Sequence, residues 1–217
     1  MSNAPLHIGI LGATGKAGSD LTREALRRDH RVTAVVRDAD RVGELGDPQI
    51  IERDVFDLRA EDLTGLDVVV NAVGFTPDQA HRHLTLSEHL ISLARELGTE
   101  APRLIFILGA GSLTGPKGLF LKEIRQVPGA EHWIAIPENQ LKQLEYLRSI
   151  DDVDWTGVSP QAEFAPGPAT APKLGRDEIL PAADGTSRTS TGTMAVAVLD
   201  EIETPAHRGV RFTVSDA

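Results

Sequence analysis

Short apolar runs alternate with amphipathic ones along this chain. Residues 7–11 (His-Ile-Gly-Ile-Leu) form a compact run of strand type, after which Leu21, Ala25 and Leu26 share a helical face among Arg23, Glu24, Arg27 and Arg28. Further strands are predicted at 31–36, 49–52, 66–73, 103–108, 155–158 and 210–214. Helices are predicted at about 79–97, with Gly98 as C-cap, and around Leu141, Leu144, Leu147 and Ile150. Ser190 or Thr191 is placed to cap a last helix running toward Ile202. Several strands are apolar on both faces, the pattern of parallel strands covered by helices on each side. The expectation is therefore α/β, a Rossmann-like doubly wound parallel sheet with helices on both faces, in a single domain spanning 1–217. Two stretches break the rhythm: 109–137, marked by Gly and Pro, and 159–188, with Pro160, Pro166, Pro168, Pro172 and Pro181. Both follow strand C-termini, where open α/β sheets bind ligands, so they read as substrate-pocket loops.

Composition narrows the field. A chain of 217 residues buries roughly 70% of its unfolded surface, so it needs no metal or disulfide staple. Its net charge of −10 argues against nucleic-acid or anionic-membrane partners, leaving a small-molecule partner as the expectation. The absence of cysteine excludes a disulfide scaffold, a thiolate-ligated zinc and a thiol nucleophile. No apolar run reaches the roughly 20 residues of a membrane span. Residues 1–6 lack the basic segment and apolar stretch of a secretory signal, so a cytoplasmic location is expected.

The most informative stretch is Gly12-Ala13-Thr14-Gly15-Lys16-Ala17-Gly18, directly after the first strand and opening the first helix. Gly12 permits a tight exit from the strand, Gly15 lets backbone approach a pyrophosphate, and Gly18 lets the helix pack close to the sheet. The free N–H groups of the helix N-terminus would then face the phosphates. The spacing is G-x-x-G-x-x-G rather than G-x-G-x-x-G, and its context of strand before and helix after is what gives it weight. Arg37 ends the second strand 19 residues beyond Gly18, where a NAD-specific site usually places an acid for the ribose hydroxyl. A guanidinium there suits the 2′-phosphate of NADP, and Lys16 adds positive charge for it, so NADP(H) is expected over NAD(H). A solvated strand-end arginine is the plainer alternative. Asp54-Val55-Phe56-Asp57 follows the third strand: Asp54 is suited to accept from an adenine amino group with Val55 against the ring, or to make an Asx turn. Small residues at Asn71-Ala72-Val73-Gly74 would let a ribose lie on the backbone.

These segments, together with Gly109-Ala110-Gly111-Ser112-Leu113 and Asp154-Trp155-Thr156-Gly157-Val158-Ser159-Pro160, resemble the atypical short-chain dehydrogenase/reductases. The closest likeness is to NAD(P)H-binding, NADH-flavin reductase-like proteins, related to NmrA-like regulators and biliverdin-IXβ reductase. The resemblance spans nearly the whole chain and implies dinucleotide binding, but it is less specific for the reaction. The wider superfamily carries a Tyr-x-x-x-Lys pair before the sixth strand; here the one tyrosine, Tyr146, has Ile at position 150, and Lys142 precedes it. The dyad is absent. Ser112 stands where the superfamily's serine would lie, as a candidate catalytic hydroxyl or as turn chemistry. Where relatives place an acid in the last helix, this chain has Gly192 or Thr193. His81, His83, His89 and His132 form no recognisable metal site, and His81 and His83 read as solvated helix residues. The leading expectation is an NADP(H)-dependent reductase passing hydride to a flavin, quinone or similar planar acceptor. The alternative is a non-catalytic NADP(H)-sensing or regulatory protein. An epimerase or dehydratase is disfavoured, since that chemistry needs the missing base.

Overall fold

Seven strands lie parallel in the order β3-β2-β1-β4-β5-β8-β12: β1 (His7–Leu11), β2 (Arg31–Val36), β3 (Gln49–Glu52), β4 (Val68–Asn71), β5 (Arg103–Ile107), β8 (Trp155–Ser159) and β12 (Val210–Ser215). The computed structural model describes residues 4–43, 45–182 and 184–217. An eighth strand, β10 (Lys173–Gly175), pairs antiparallel with β12 at the sheet edge. The other strands are short: β6 (Thr114–Gly115) pairs with β7 (Gly118–Leu119), and β9 (Glu163–Ala165) with β11 (Arg188–Ser190). The strand order reverses between β1 and β4, which is the doubly wound arrangement expected from the two-faced strands.

Alternation along the strands serves two cores. Ile8, Ile10, Val68, Val70 and Ile105 face α1 (Gly18–Arg27) and α6 (Thr191–Glu203); Leu11, Val69, Leu104 and Phe106 face α3 (Arg82–Leu97) and α5 (Ala135–Leu147). The brief helices α2 (Ala60–Leu63) and α4 (Leu121–Ile124) fill connections. Ser190 caps α6 by accepting from Thr193 N–H at 3.1 Å, and Gly98 closes α3 at φ +57. Arg28 ties α1 to α6 through Asp200 and Glu203.

Three expectations shift. The segment 159–188 is more than a loop, since it holds β9, β10 and the start of β11; strands of three residues are too short to show a period. The helix before β8 begins earlier than the leucines suggested, with Pro137 in its first turn, where a missing N–H costs nothing. His83 is not solvated but buried, because it shares the inward face of α3 with Leu86, Ser87 and Leu90.

Candidate functional site

Register alone brings the glycine turn, the end of β2, the end of β3 and the end of β4 to one edge. Leu11 lies opposite Val35 of β2 and Asn71 of β4, and Val36 lies opposite Glu52 of β3. The residues that follow emerge side by side around a cleft of about 640 Å³, within the size range of small-molecule sites. Gly12, Thr14 and Gly15 line it on one side, Arg37, Asp38 and Arg41 beyond β2, Arg53 to Phe56 beyond β3, and Ala72 to Thr76 beyond β4.

The glycine turn is built for approach. Gly15 N–H donates to the Gly12 carbonyl at 2.8 Å, closing the turn, and Ser19 N–H donates to Gly15 at 3.1 Å. Gly12 takes φ +74, a left-handed backbone that L side chains resist. A Cβ on Gly18 would collide with the Gly12 carbonyl, which is why helix and turn can meet there. Gly15 and Gly74 differ: a Cβ at Gly15 meets only the Gly12 oxygen at 3.0 Å, and one at Gly74 meets nothing within 4 Å. Side chains at these two positions would fill the cleft rather than the protein. The backbone is thus bare on two sides, which fits the pyrophosphate and ribose of a dinucleotide.

Polar groups on the walls sort by whether they are already engaged. Asp54 Oδ1 accepts from Phe56 N–H at 3.0 Å in an Asx turn while still lining the cleft, and Asn71 Oδ1 accepts from Val73 N–H at 3.2 Å. Asp38 caps the following turn through Asp40 N–H at 3.1 Å. Arg53 is paired with Asp62. Arg37 and Arg41 are exposed and lie on the wall, with no ion-pair partner among the described residues. Arg41 and Thr14 also border an adjoining hollow with Ser19 and Arg23. Arg41 was not picked out from the sequence; its signal was a second arginine four residues past Arg37, one turn on.

Lys16 and Ser112 are placed elsewhere. Lys16 does not line the cleft: its Nζ donates to the Phe164 carbonyl at 2.9 Å and sits 4.5 Å from the Phe164 ring centre. Burial there pulls its ammonium below the ordinary lysine range. Ala13 and Ala17 are buried behind the turn. Ser112 is buried, and its hydroxyl donates to the Gly109 carbonyl at 3.4 Å and accepts from Arg211 Nη1 at 3.1 Å. The fully buried Arg211 side chain also bonds Ser159 at 2.9 Å and pairs with Asp177. The Ser112 hydroxyl is therefore engaged within the fold. Tyr146 sits on the side of α5 facing Arg95 near the end of α3, and burial raises its phenol above the usual range, the opposite of what a proton-exchanging tyrosine needs. Gly192 has a steric reason to be glycine: a Cβ would lie 2.5 Å from Ala169 N and 2.8 Å from the Gly167 carbonyl. No group of three metal-ligating side chains occurs among the described residues.

A family model described as NAD(P)H-binding matches residues 12–202, from the first glycine of the turn to the end of α6. The chain belongs to the NAD(P)H-binding family. It is 40% identical over 211 residues to the YwnB protein of Bacillus subtilis strain 168, covering 96% of this chain and 98% of that protein. A crystal structure from Lactobacillus casei superposes with TM-score 0.90 at 34% identity, over 98% of this chain and 100% of that one. A Streptococcus pneumoniae protein, named there as a proposed NADH-flavin reductase, superposes with TM-score 0.86 at 29% identity over 98% and 100% of the two chains. No helix among the described residues is long and apolar enough to cross a membrane.

Proposed function

We propose that this protein is an NADP(H)-dependent oxidoreductase that passes hydride to a flavin, a quinone or a similar planar acceptor. The observation that carries the reading is the cleft itself: bare glycine backbone at Gly15 and Gly74 on two sides, and Arg37 and Arg41 at the end of β2, without an ion-pair partner among the described residues. The backbone of residues 12–15 would hold the pyrophosphate. Asp54 and Val55 would meet the adenine, and Arg37 with Arg41 the 2′-phosphate. When bound, the nicotinamide supplies the hydride. The acceptor needs only positioning and a proton from solvent, so the missing Tyr-Lys pair is no obstacle. The name given to the pneumococcal neighbour agrees with a flavin acceptor.

Steady-state NADPH oxidation with a panel of flavins and quinones tests this directly. Turnover with at least one planar acceptor is expected. Tight NADPH binding without turnover would instead support a sensing protein, the reading favoured by the Ser112 hydroxyl being already engaged. Absence of NADP(H) binding would remove both.

A further inference from the structure

One part of the cleft is explained neither by the glycine turn nor by the end of β2. Phe56 follows Val55, Phe75 follows Gly74, and their ring centres lie 6.1 Å apart. Arg82, the first residue of α3, holds its guanidinium carbon 4.3 Å from the Phe56 centroid and 5.6 Å from that of Phe75. All three side chains are half-buried and line the cleft. His83 backs Phe75 edge-on at 5.0 Å, and its own burial anchors that ring. No carboxylate pairs with Arg82 among the described residues, so rings and not an acid hold it.

We infer that Arg82 binds the adenine base of the dinucleotide, with Phe56 and Phe75 as the shelf that orients it; this rests on the cofactor reading above. Asp54 and Val55 directly precede Phe56, so the base they would meet lies next to the shelf. A planar guanidinium can stack on a purine or donate to its ring nitrogens, and a compact ammonium does neither as well. The 2′-phosphate is met from the β2 side by Arg37 and Arg41, whereas Arg82 comes from beyond β4. Its contribution should therefore be common to NADH and NADPH.

Calorimetric titration of Arg82→Ala with NADPH and NADH, and displacement of NADPH by AMP, tests this. All three dissociation constants should rise by a common factor, roughly two- to thirtyfold. Arg82→Lys, which keeps the charge but loses the plane, should fall between the variant and the wild type. A loss confined to NADPH would make Arg82 a phosphate ligand and overturn the inference. Unchanged affinities in a variant that melts with the wild type would overturn it too. If alanine lowers the melting temperature, Arg82→Gln, whose longer stem still covers the shelf, is read the same way. Failure of the wild type to bind either cofactor would instead sink the cofactor reading, and this inference with it.

Discussion

Three glycines that look alike in the motif do different things. Gly12 is fixed by a positive φ and Gly18 by collision with the Gly12 carbonyl, so both serve the fold; Gly15 alone presents its bare side to the cleft. Gly15→Val should therefore abolish dinucleotide binding while the protein still melts cooperatively, as titration with NADPH beside a thermal scan would show. Retained binding would put the dinucleotide elsewhere. Ser112 shows the limit of local reading. Turn chemistry and catalysis were both open from Gly109-Ala110-Gly111-Ser112, and what distinguishes them is Arg211, a residue with no spacing relation to that turn. Ser112→Ala should lower turnover by less than about tenfold and cost on the order of 1 kcal/mol of stability, since Arg211 keeps Ser159 and Asp177. A loss of about 10³ in kcat would restore a proton-transfer role for the hydroxyl.

Elements with a long period were legible, and those defined by a partner were not. The parallel strands could be read because several are apolar on both faces, and α6 because Ser190 announces its start. The three-residue strands β9, β10 and β11 exist only through their pairing, with β11, β12 and β9 respectively. Helix α3 carries a consequence of its own. Burial lowers the His83 imidazole from 6.5 to about 4, and its Nε2 has no hydrogen-bond partner among the described residues. The unfolded chain takes up a proton below pH 6.5 and the folded one does not, so the stability held by neutral His83 is full above 6.5 and is lost as pH falls toward 4. The whole loss is worth about 3 kcal/mol. His83→Leu, close in volume, should flatten the fall in melting temperature between pH 6.5 and 4.5. An unchanged slope would assign the acid sensitivity to other groups, such as Glu201, whose carboxyl is raised by burial but lowered further by hydrogen bonds from Arg103 and His207.

At the scale of the molecule, charge is distributed against the average. A chain of net charge −10 gathers four arginines, Arg37, Arg41, Arg53 and Arg82, against two aspartates on the walls of one cleft. Arg53 is neutralised by Asp62 and Arg82 is held by aromatic rings, which leaves Arg37 and Arg41 beside the end of β2 as cations without an ion-pair partner among the described residues. A net negative chain disfavours anions in general, so cations gathered on these walls favour an anionic ligand there. NADPH should then bind more tightly than NADH by roughly ten- to a hundredfold, the worth of a charge-assisted contact. The preference should shrink as salt rises, because both arginines are exposed. Arg37→Asp should reverse the order, since a carboxylate repels the phosphate and accepts from a free ribose hydroxyl. Arg41 shares the wall, so Arg37→Ala should leave a residual preference that Arg37→Ala with Arg41→Ala removes. Calorimetric titration of both cofactors into the wild type and these variants, at low and high salt, decides it. Equal wild-type affinities would leave Arg37 a surface arginine and return the choice of cofactor to Asp38 at the same strand end.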